Sequence, residues 1–274
     1  MSKLLQGPFA VLMTPFMGEG IDENAFLAQI TMANETDISG YVTNGSTAEY
    51  IQLSLEQQMY ISELTARNKA PDKKLIVSAC TGNLADTVRL CVHAGEIGAD
   101  AVLVCPPYYF KYPSCEREKY FKQVADLSPV PVMLYSVPFF TQEIELDVIF
   151  RLFEHPNIIG IKDSSANMKR LMHMAQYTDG TDISIMTGTD DILVSALVGG
   201  CAGSLTAFAA IYPKEISALY AAVKMGNFFL ARDLQYSLMP KLREADAMTF
   251  PRGYKKLMSE ATFYEFRDKE VGNE

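Results

Sequence analysis

Short apolar segments recur along this chain of 274 residues, and each is followed by a segment with helical spacing. The apolar segments are rich in Val, Ile and Leu and lack alternating polar positions, which is typical of parallel strands buried on both faces. They are residues 9–14, 38–43, 75–79, 101–104, 130–135, 158–162, 183–187 and 201–205. The segments between them predict helices at 22–34, from 54 onward, 83–97, 114–127, 145–153, 167–177 and 189–197. Ser54 followed by Gln57 has the spacing of a capping box.

Eight such strand–helix units predict an α/β fold, a closed (β/α)8 TIM barrel. A doubly wound open sheet is the structural alternative, and the lack of a GxGxxG motif after the first strand weakens it. After Pro213 the strands stop, and residues 213–225, 227–246 and 250–263 predict a short C-terminal helical appendage. We therefore divide the chain into a catalytic barrel, residues 1–222, and C-terminal helices with a polar tail, residues 223–274.

Composition narrows the class of protein. Hydrophobic residues make up 49% and charged residues 21%, as in an ordinary soluble globular protein. The net charge of -9 is scattered along the chain, which argues against nucleic acid or an anionic membrane surface as partner. Five cysteines without a CxxC pair indicate reduced thiols. With no signal peptide and no apolar run of transmembrane length, we expect a cytoplasmic protein.

One lysine stands at the end of a predicted strand. It is Lys162, in the segment Asn-Ile-Ile-Gly-Ile-Lys-Asp-Ser-Ser that covers residues 157–165. Burial of a lysine disfavours the ammonium and favours the free amine, a nucleophile that forms a Schiff base with a ketone or an aldehyde. The alternative is a lysine whose head reaches from the strand end into solvent.

Other chemistry-bearing residues also follow predicted strands, where the active site of such a barrel forms. They are Thr14, Gly45-Ser46-Thr47, Tyr108-Tyr109, Tyr135, Gly188-Thr189-Asp190-Asp191 and Ser204. We expect the Tyr135 hydroxyl to lie beside Lys162; the alternative is a rim aromatic hydrated by water. The three histidines, at 93, 155 and 173, fall on predicted helices or at a helix end rather than at strand ends. We therefore do not expect them to bind a zinc ion together. We expect no metal ion and no cofactor.

Five motifs in chain order resemble those of the dihydrodipicolinate synthase / N-acetylneuraminate lyase family of class I pyruvate-dependent aldolases. They are Thr14-Pro15-Phe16, Gly45-Ser46-Thr47-Ala48-Glu49, Pro107-Tyr108-Tyr109, Tyr135-Ser136-Val137-Pro138 and Gly160-Ile161-Lys162-Asp163. The resemblance runs from Gly7 to about Phe263. Ala48 replaces a glycine of the family motif, and Ser136 replaces an asparagine.

The resemblance implies roles for individual residues. Lys162 would form an imine with pyruvate or with a 2-oxo acid, and Tyr135 would move protons. Tyr109 would extend the chain of hydroxyl groups that begins at Tyr135; in many relatives this tyrosine comes from a neighbouring subunit. Thr47 would be the fourth catalytic residue that the resemblance implies. Ser46 and Thr47 would hold the pyruvate carboxylate, while carbonyl groups of Gly188 and Leu205 would line the pocket. The resemblance also implies a homo-oligomer, either a dimer or a tetramer.

Departures from the family pattern bear on the substrate. Phe140 stands where dihydrodipicolinate synthases usually carry an arginine for the carboxylate of aspartate semialdehyde. The positions where lysine-inhibited members place polar ligands hold Leu55, Gln58, Leu84 and Val88, so we expect no such inhibition. Asp190-Asp191 resembles the acidic pair that holds sugar hydroxyls in sialic acid lyases, and Ser204 matches another hydroxyl ligand. The alternative for either aspartate is a helix N-cap.

Three hypotheses for function follow. The leading one is a Schiff-base lyase that cleaves a 2-keto-3-deoxy sugar acid or a sialic-acid-like substrate to pyruvate and an aldehyde. The second is dihydrodipicolinate (4-hydroxy-tetrahydrodipicolinate) synthase, which condenses pyruvate with aspartate semialdehyde. The third, from a different class, is a non-catalytic sensor of a 2-oxo acid, which Ala48 and Ser136 keep open. The expected partners are small molecules.

Overall fold

A computed structural model describes residues 4–18 and 20–269 and shows a closed barrel of eight parallel strands. The described residues form ten strands, eight of them in the barrel: β1 (Gly7–Val11), β2 (Phe16–Met17), β3 (Gly20–Ile21), β4 (Gly40–Thr43), β5 (Lys74–Ser78), β6 (Ala101–Val104), β7 (Val132–Ser136), β8 (Ile158–Asp163), β9 (Ser184–Thr187) and β10 (Gly203–Thr206). Strands β2 and β3 form a small antiparallel hairpin. The others close in the order β1-β10-β9-β8-β7-β6-β5-β4, which confirms the predicted (β/α)8 barrel.

Helices follow the strands and continue beyond the last one. They are α1 (Glu23–Asn34), α2 (Leu55–Asn68), α3 (Leu84–Glu96), α4 (Ser114–Leu127), α5 (Leu146–Leu152), α6 (Met168–Tyr177), α7 (Leu193–Val198), α8 (Phe208–Ile211), α9 (Pro213–Lys224), α10 (Phe228–Asp246) and α11 (Arg252–Thr262). Ser54 and Gln57 form the predicted capping box of α2. The predicted helix 189–197 is instead a 3-10 turn, Asp190–Ile192, followed by α7, and the four-residue α8 was not predicted.

The core has two layers because successive strand residues point to opposite faces. Side chains that point inward fill the barrel, among them Phe9, Val42, Leu103, Met133 and Leu205. Side chains that point outward pack against the helices in a second, larger cluster. Strands covered on both faces explain why the sequence showed continuous apolar segments rather than alternation.

A local irregularity between β7 and β8 sets the register at their carboxyl ends. Val132 pairs with Ile158, but Met133 pairs with Gly160, so the register shifts by one residue between them. A side chain at Gly160 would lie 2.2 Å from the Ser184 carbonyl oxygen, and only glycine fits this approach. The shift brings Tyr135 directly opposite Lys162.

The C-terminal part of the chain packs against the barrel. Helix α10 packs against α9 and α11, and α11 also contacts α1 and α8. Within the predicted polar tail, residues 264–269 follow the last helix and pack on the barrel, since Phe266 is buried and the Phe16 amide donates to the Arg267 carbonyl at 3.2 Å. Residues 270–274 of that predicted tail lie outside the described residues. The division of the chain at residue 222 stays a prediction.

Among the described helices, none combines the length and the apolar character needed to cross a bilayer.

Candidate active site

Lys162 lies in β8 with its side chain turned into the mouth of the barrel. It is only 4% exposed, and its Nζ lies 3.4 Å from the Tyr135 hydroxyl and 4.4 Å from the centre of that ring. A Cβ atom at Gly188, after β9, would lie 2.6 Å from Lys162 Cε, so a glycine there makes room for the lysine. The structure therefore buries the amine, and the alternative of a lysine head in solvent is wrong.

Tyr135 connects the lysine to the loop after β4. Its hydroxyl lies 3.3 Å from Ser46 Oγ, and the residue is 3% exposed, which excludes the hydrated rim aromatic considered as its alternative. Lys162 Nζ, the Tyr135 hydroxyl and Ser46 Oγ thus form a short chain of polar groups. Thr47 follows on the same 3-10 turn, Ser46–Ala48, and its buried Oγ1 has no hydrogen-bond partner among the described residues. A hydroxyl in that state is available to a ligand.

The loop after β4 is held in an unusual backbone conformation at both ends. Asn44 and Glu49 have φ angles of 56° and 54°, in the left-handed region that non-glycine residues seldom adopt. Asn44 is fixed by its side-chain amide, which donates to the Gln58 carbonyl and to Ser62 Oγ, both at 3.1 Å. Contacts of this kind hold a strained conformation in place.

Asp190 and Asp191 occupy different environments at the other side of the mouth. Asp190 is buried, and burial raises the pKa of its carboxyl to about 7, although the Thr206 hydroxyl, the Phe208 N–H and the Lys162 charge act in the opposite direction. Asp191 is exposed. Neither the 3-10 turn that they begin nor α7 has a side-chain cap, so the N-cap alternative is wrong for both.

A cavity of about 620 Å3 joins these residues. Its lining includes the predicted residues Ser46, Thr47, Tyr135, Phe140, Lys162, Gly188, Asp190, Asp191 and Leu205. Phe139, Phe140 and Phe250 form an apolar wall, with the last two rings 5.4 Å apart. Within the described part of the chain, the lining contains one cation, Lys162, against three aspartates.

Two predicted site residues do not reach this cavity. Ser204, in β10, is buried and is not among the described residues that line the cavity, whereas Leu205 and Thr206, which follow it, are. Tyr109 is 92% exposed and packs its ring edge-on against Phe110. Its neighbour Tyr108 instead lines a second cavity of about 340 Å3, which shares Ser46 and Tyr135 with the first.

Several lining residues were missed from the sequence. Thr206 lies one residue beyond the predicted end of β10, so a slightly longer strand would have found it. Asp246 and Tyr254 come from α10 and α11, and the Tyr254 hydroxyl donates to Asp246 at 2.8 Å. No sequence pattern links these late helices to the barrel mouth. No group of three or more His, Cys, Asp or Glu side chains suited to a metal occurs in residues 4–18 and 20–269.

Comparisons with known proteins cover nearly the whole chain. Residues 4–264 match the model of the dihydrodipicolinate synthetase family. The 4-hydroxy-tetrahydrodipicolinate synthase of Methanothrix thermoacetophila is 30% identical over 250 residues, which are 90% of this chain and 84% of that protein. The structure of the synthase of the same name from Methylacidiphilum fumariolicum SolV is 27% identical, with a TM-score of 0.89 and coverage of 98% of this chain and 89% of that one.

A third comparison concerns a protein solved with a ligand. A prophage protein of E. coli K12, belonging to the dihydrodipicolinic acid synthase family and in complex with pyruvate, is 27% identical with a TM-score of 0.88, covering 95% of this chain and 88% of that one. The names of the two synthases favour the second functional hypothesis over the leading one, sugar-acid cleavage.

Proposed function

Because this chain belongs to the dihydrodipicolinate synthetase family of class I aldolases, we propose that Lys162 forms a Schiff base with pyruvate. The observation that carries this proposal is the buried amine 3.4 Å from the Tyr135 hydroxyl, in a cavity large enough for a small 2-oxo acid and its aldehyde partner. A buried amine beside a proton donor is the arrangement that imine formation requires.

The reaction follows from the positions of these groups. The Lys162 amine adds to the keto carbon of pyruvate, and loss of water gives a protonated imine. The imine accepts electron density, so a methyl proton of pyruvate is removed and the resulting enamine attacks an aldehyde carbonyl; cleavage is the reverse. Tyr135, with Ser46 at 3.3 Å, carries the protons of these steps.

The pyruvate carboxylate binds at the loop after β4. Ser46 Oγ and the unpaired Thr47 Oγ1 face the cavity, and the first N–H groups of a helical turn have no partner within it. These donors suit a carboxylate. Main-chain carbonyls of Gly188 and Leu205 complete the pocket around the imine.

The acceptor aldehyde has two candidates. Aspartate semialdehyde comes first, because the curated relative at 30% identity and the structural neighbour with the TM-score of 0.89 are both named 4-hydroxy-tetrahydrodipicolinate synthase. A hydroxylated aldehyde, released from a 2-keto-3-deoxy sugar acid or a sialic-acid-like substrate, comes second and has a specific observation behind it. The described lining offers no cation for a second carboxylate, since Phe140 occupies the position of the family's arginine, and Asp190, Asp191 and Asp246 are acidic.

Tyr109 and the assembly belong to the same proposal. The exposed Tyr109 ring on the rim is available to a second copy of the chain, so we assign it to the site of a neighbouring subunit in a dimer or a tetramer. Sedimentation of the purified protein tests the assembly, and a monomer that keeps full activity would contradict it. The cytoplasmic location stays a prediction.

Borohydride reduction with pyruvate tests the central step. We expect one pyruvate-derived mass per chain on Lys162, and none on Lys162→Ala. Lys241→Ala, which removes an exposed lysine of α10, is the matched control and should label like wild type. An unlabelled wild-type protein would refute the mechanism.

Turnover then separates the remaining functions. Wild-type protein labelled by pyruvate is offered aspartate semialdehyde in one assay and a set of 2-keto-3-deoxy sugar acids and a sialic acid in another. Labelling without turnover of any of them would identify the 2-oxo acid sensor.

A further inference from the structure

Lys255 is a buried lysine outside the proposed catalytic set. It lies in α11, is 1% exposed, and its Nζ is paired with Glu49 Oε1. The same Nζ donates to the Arg267 carbonyl at 2.9 Å and lies 4.6 Å from the centre of the Phe16 ring. One ammonium group therefore contacts the loop after β4, strand β2 and the C-terminal segment 264–269.

The contacts of this ammonium compensate its burial. Burial lowers the pKa of Lys255, while the carboxylates of Glu49 and Asp268 act in the opposite direction. Replacing a buried ion pair by apolar residues often costs nothing in stability, so such a pair is weak evidence of a stabilising role. A role in fixing one arrangement of the chain explains its presence better.

Glu49 shows which arrangement is fixed. It ends the carboxylate-binding loop, residues 44–49, in the left-handed conformation, as Asn44 begins it. Helix α2 holds Asn44 through Gln58 and Ser62. Lys255 holds the Glu49 end, and Ser46 and Thr47 lie between these two anchors.

We propose that Lys255 is a positioning residue for pyruvate: through Glu49 it fixes Ser46 and Thr47 relative to Tyr135 and Lys162. The C-terminal segment 264–269 takes part, because its Arg267 carbonyl and Asp268 carboxylate orient the same ammonium. This inference rests on the proposed function, since the carboxylate-binding role of the loop comes from it.

The experiment measures pyruvate affinity separately from imine chemistry. Borohydride labelling of Lys255→Met is followed as a function of pyruvate concentration. We expect the half-saturating concentration to rise about tenfold or more, the effect of misplacing one charge-assisted hydrogen bond. Labelling at saturating pyruvate should still reach one per chain, because Lys162 is intact. The matched control is Lys256→Met on the same helix, whose side chain is 48% exposed and pairs with Glu244 and Glu260; it should behave like wild type.

Glu49→Gln tests the other end of the contact with almost no change in volume, and it decides the question if Lys255→Met does not fold. It should weaken pyruvate binding in the same direction, and the double variant should be little worse than the more affected single one. Wild-type affinity in Glu49→Gln, or in a folded Lys255→Met with only a lowered melting temperature, would overturn the inference. A wild-type protein that pyruvate never labels would instead refute the proposed function.

Discussion

Removal of the Arg170 side chain should destabilise the protein strongly, because it leaves a buried carboxylate without its cation. Arg170, in α6, donates through Nε to Asp163 at 2.8 Å, and the two side chains are 5% and 0% exposed. Asp163 directly follows the proposed nucleophile in β8. Arg170 also donates to the Ile144 carbonyl at 2.6 Å and to Glu143 at 3.1 Å.

The contacts of Arg170 differ in their expected contribution. Glu143 is 52% exposed, so its ion pair should contribute at most ~1 kcal/mol. Without the Arg170 side chain, Asp163 still accepts from the Ser165 amide at 2.9 Å and from the Ser165 hydroxyl, but among the described residues Arg170 alone forms an ion pair with it. Breaking a buried pair by removing one partner costs about 3–5 kcal/mol. Arg170→Met should lose about that much, a large part of the roughly 5–15 kcal/mol that stabilises a typical domain.

Urea unfolding followed by circular dichroism measures the loss as a change in midpoint at constant slope. The matched control is Arg67→Met, which breaks the pair between Arg67 and Glu63; Arg67 is 69% exposed, and we expect a loss of at most ~1 kcal/mol. Asp163→Asn combined with Arg170→Met should be more stable than Arg170→Met alone, because the uncompensated charge is gone. Equal losses in Arg170→Met and Arg67→Met would refute the reasoning.

Three further predictions concern the site. Tyr135→Phe should keep pyruvate labelling of Lys162 but lose turnover by about 10²-fold or more, the usual scale of proton-transfer help; near-normal turnover measured by pyruvate release would remove Tyr135 from the mechanism. Phe140→Arg should raise kcat/KM for aspartate semialdehyde relative to a hydroxylated aldehyde, and Phe140→Leu is the control that opens space without charge. Burial raises the pKa of Asp190 from 3.8 to about 7, so the folded state binds the extra proton between these values and stability falls as the pH rises through them. Asp190→Asn should remove this fall, on the order of 1–4 kcal/mol, and identical urea midpoints for both proteins at pH 8 would contradict it.

The barrel was predictable because its signal is local. Each strand is a continuous apolar segment, and the capping box of α2 is a pattern of four residues. The placement of Lys162 and Tyr135 at neighbouring strand ends follows from the same signal, since parallel strands end at one edge. Their contact depends in addition on the shifted register at Met133 and Gly160, which no local pattern records.

The parts of the site that were missed or misplaced depend on distant segments. Asp246 and Tyr254 line the cavity and Lys255 contacts Glu49 because helices α10 and α11 pack over the barrel mouth. The sequence pattern of these segments predicts helices but does not show where the helices pack. Thr206 was missed because the predicted β10 ended at Leu205, one residue before its observed end, whereas Ser204, which the family resemblance suggested, does not line the cavity. The packed segment 264–269 looked like a tail because charged residues dominate it, although Phe266 anchors it.

The charges of the cavity bear on the choice of acceptor more directly than the fold does. The family and the barrel are shared by enzymes that use different aldehydes, so neither selects one. Lys162 supplies the one cation of the described lining, and the proposed mechanism uses it for the imine with pyruvate. A carboxylate on the acceptor would then face Asp191 and Asp246 beside an apolar wall of phenylalanines, and an unpaired charge in such a place is costly. An aldehyde rich in hydroxyl groups could instead donate hydrogen bonds to the same aspartates. If aspartate semialdehyde nevertheless reacts efficiently, its carboxylate must find a cation other than those that the described residues place in the cavity, and a neighbouring subunit is a source to test for it.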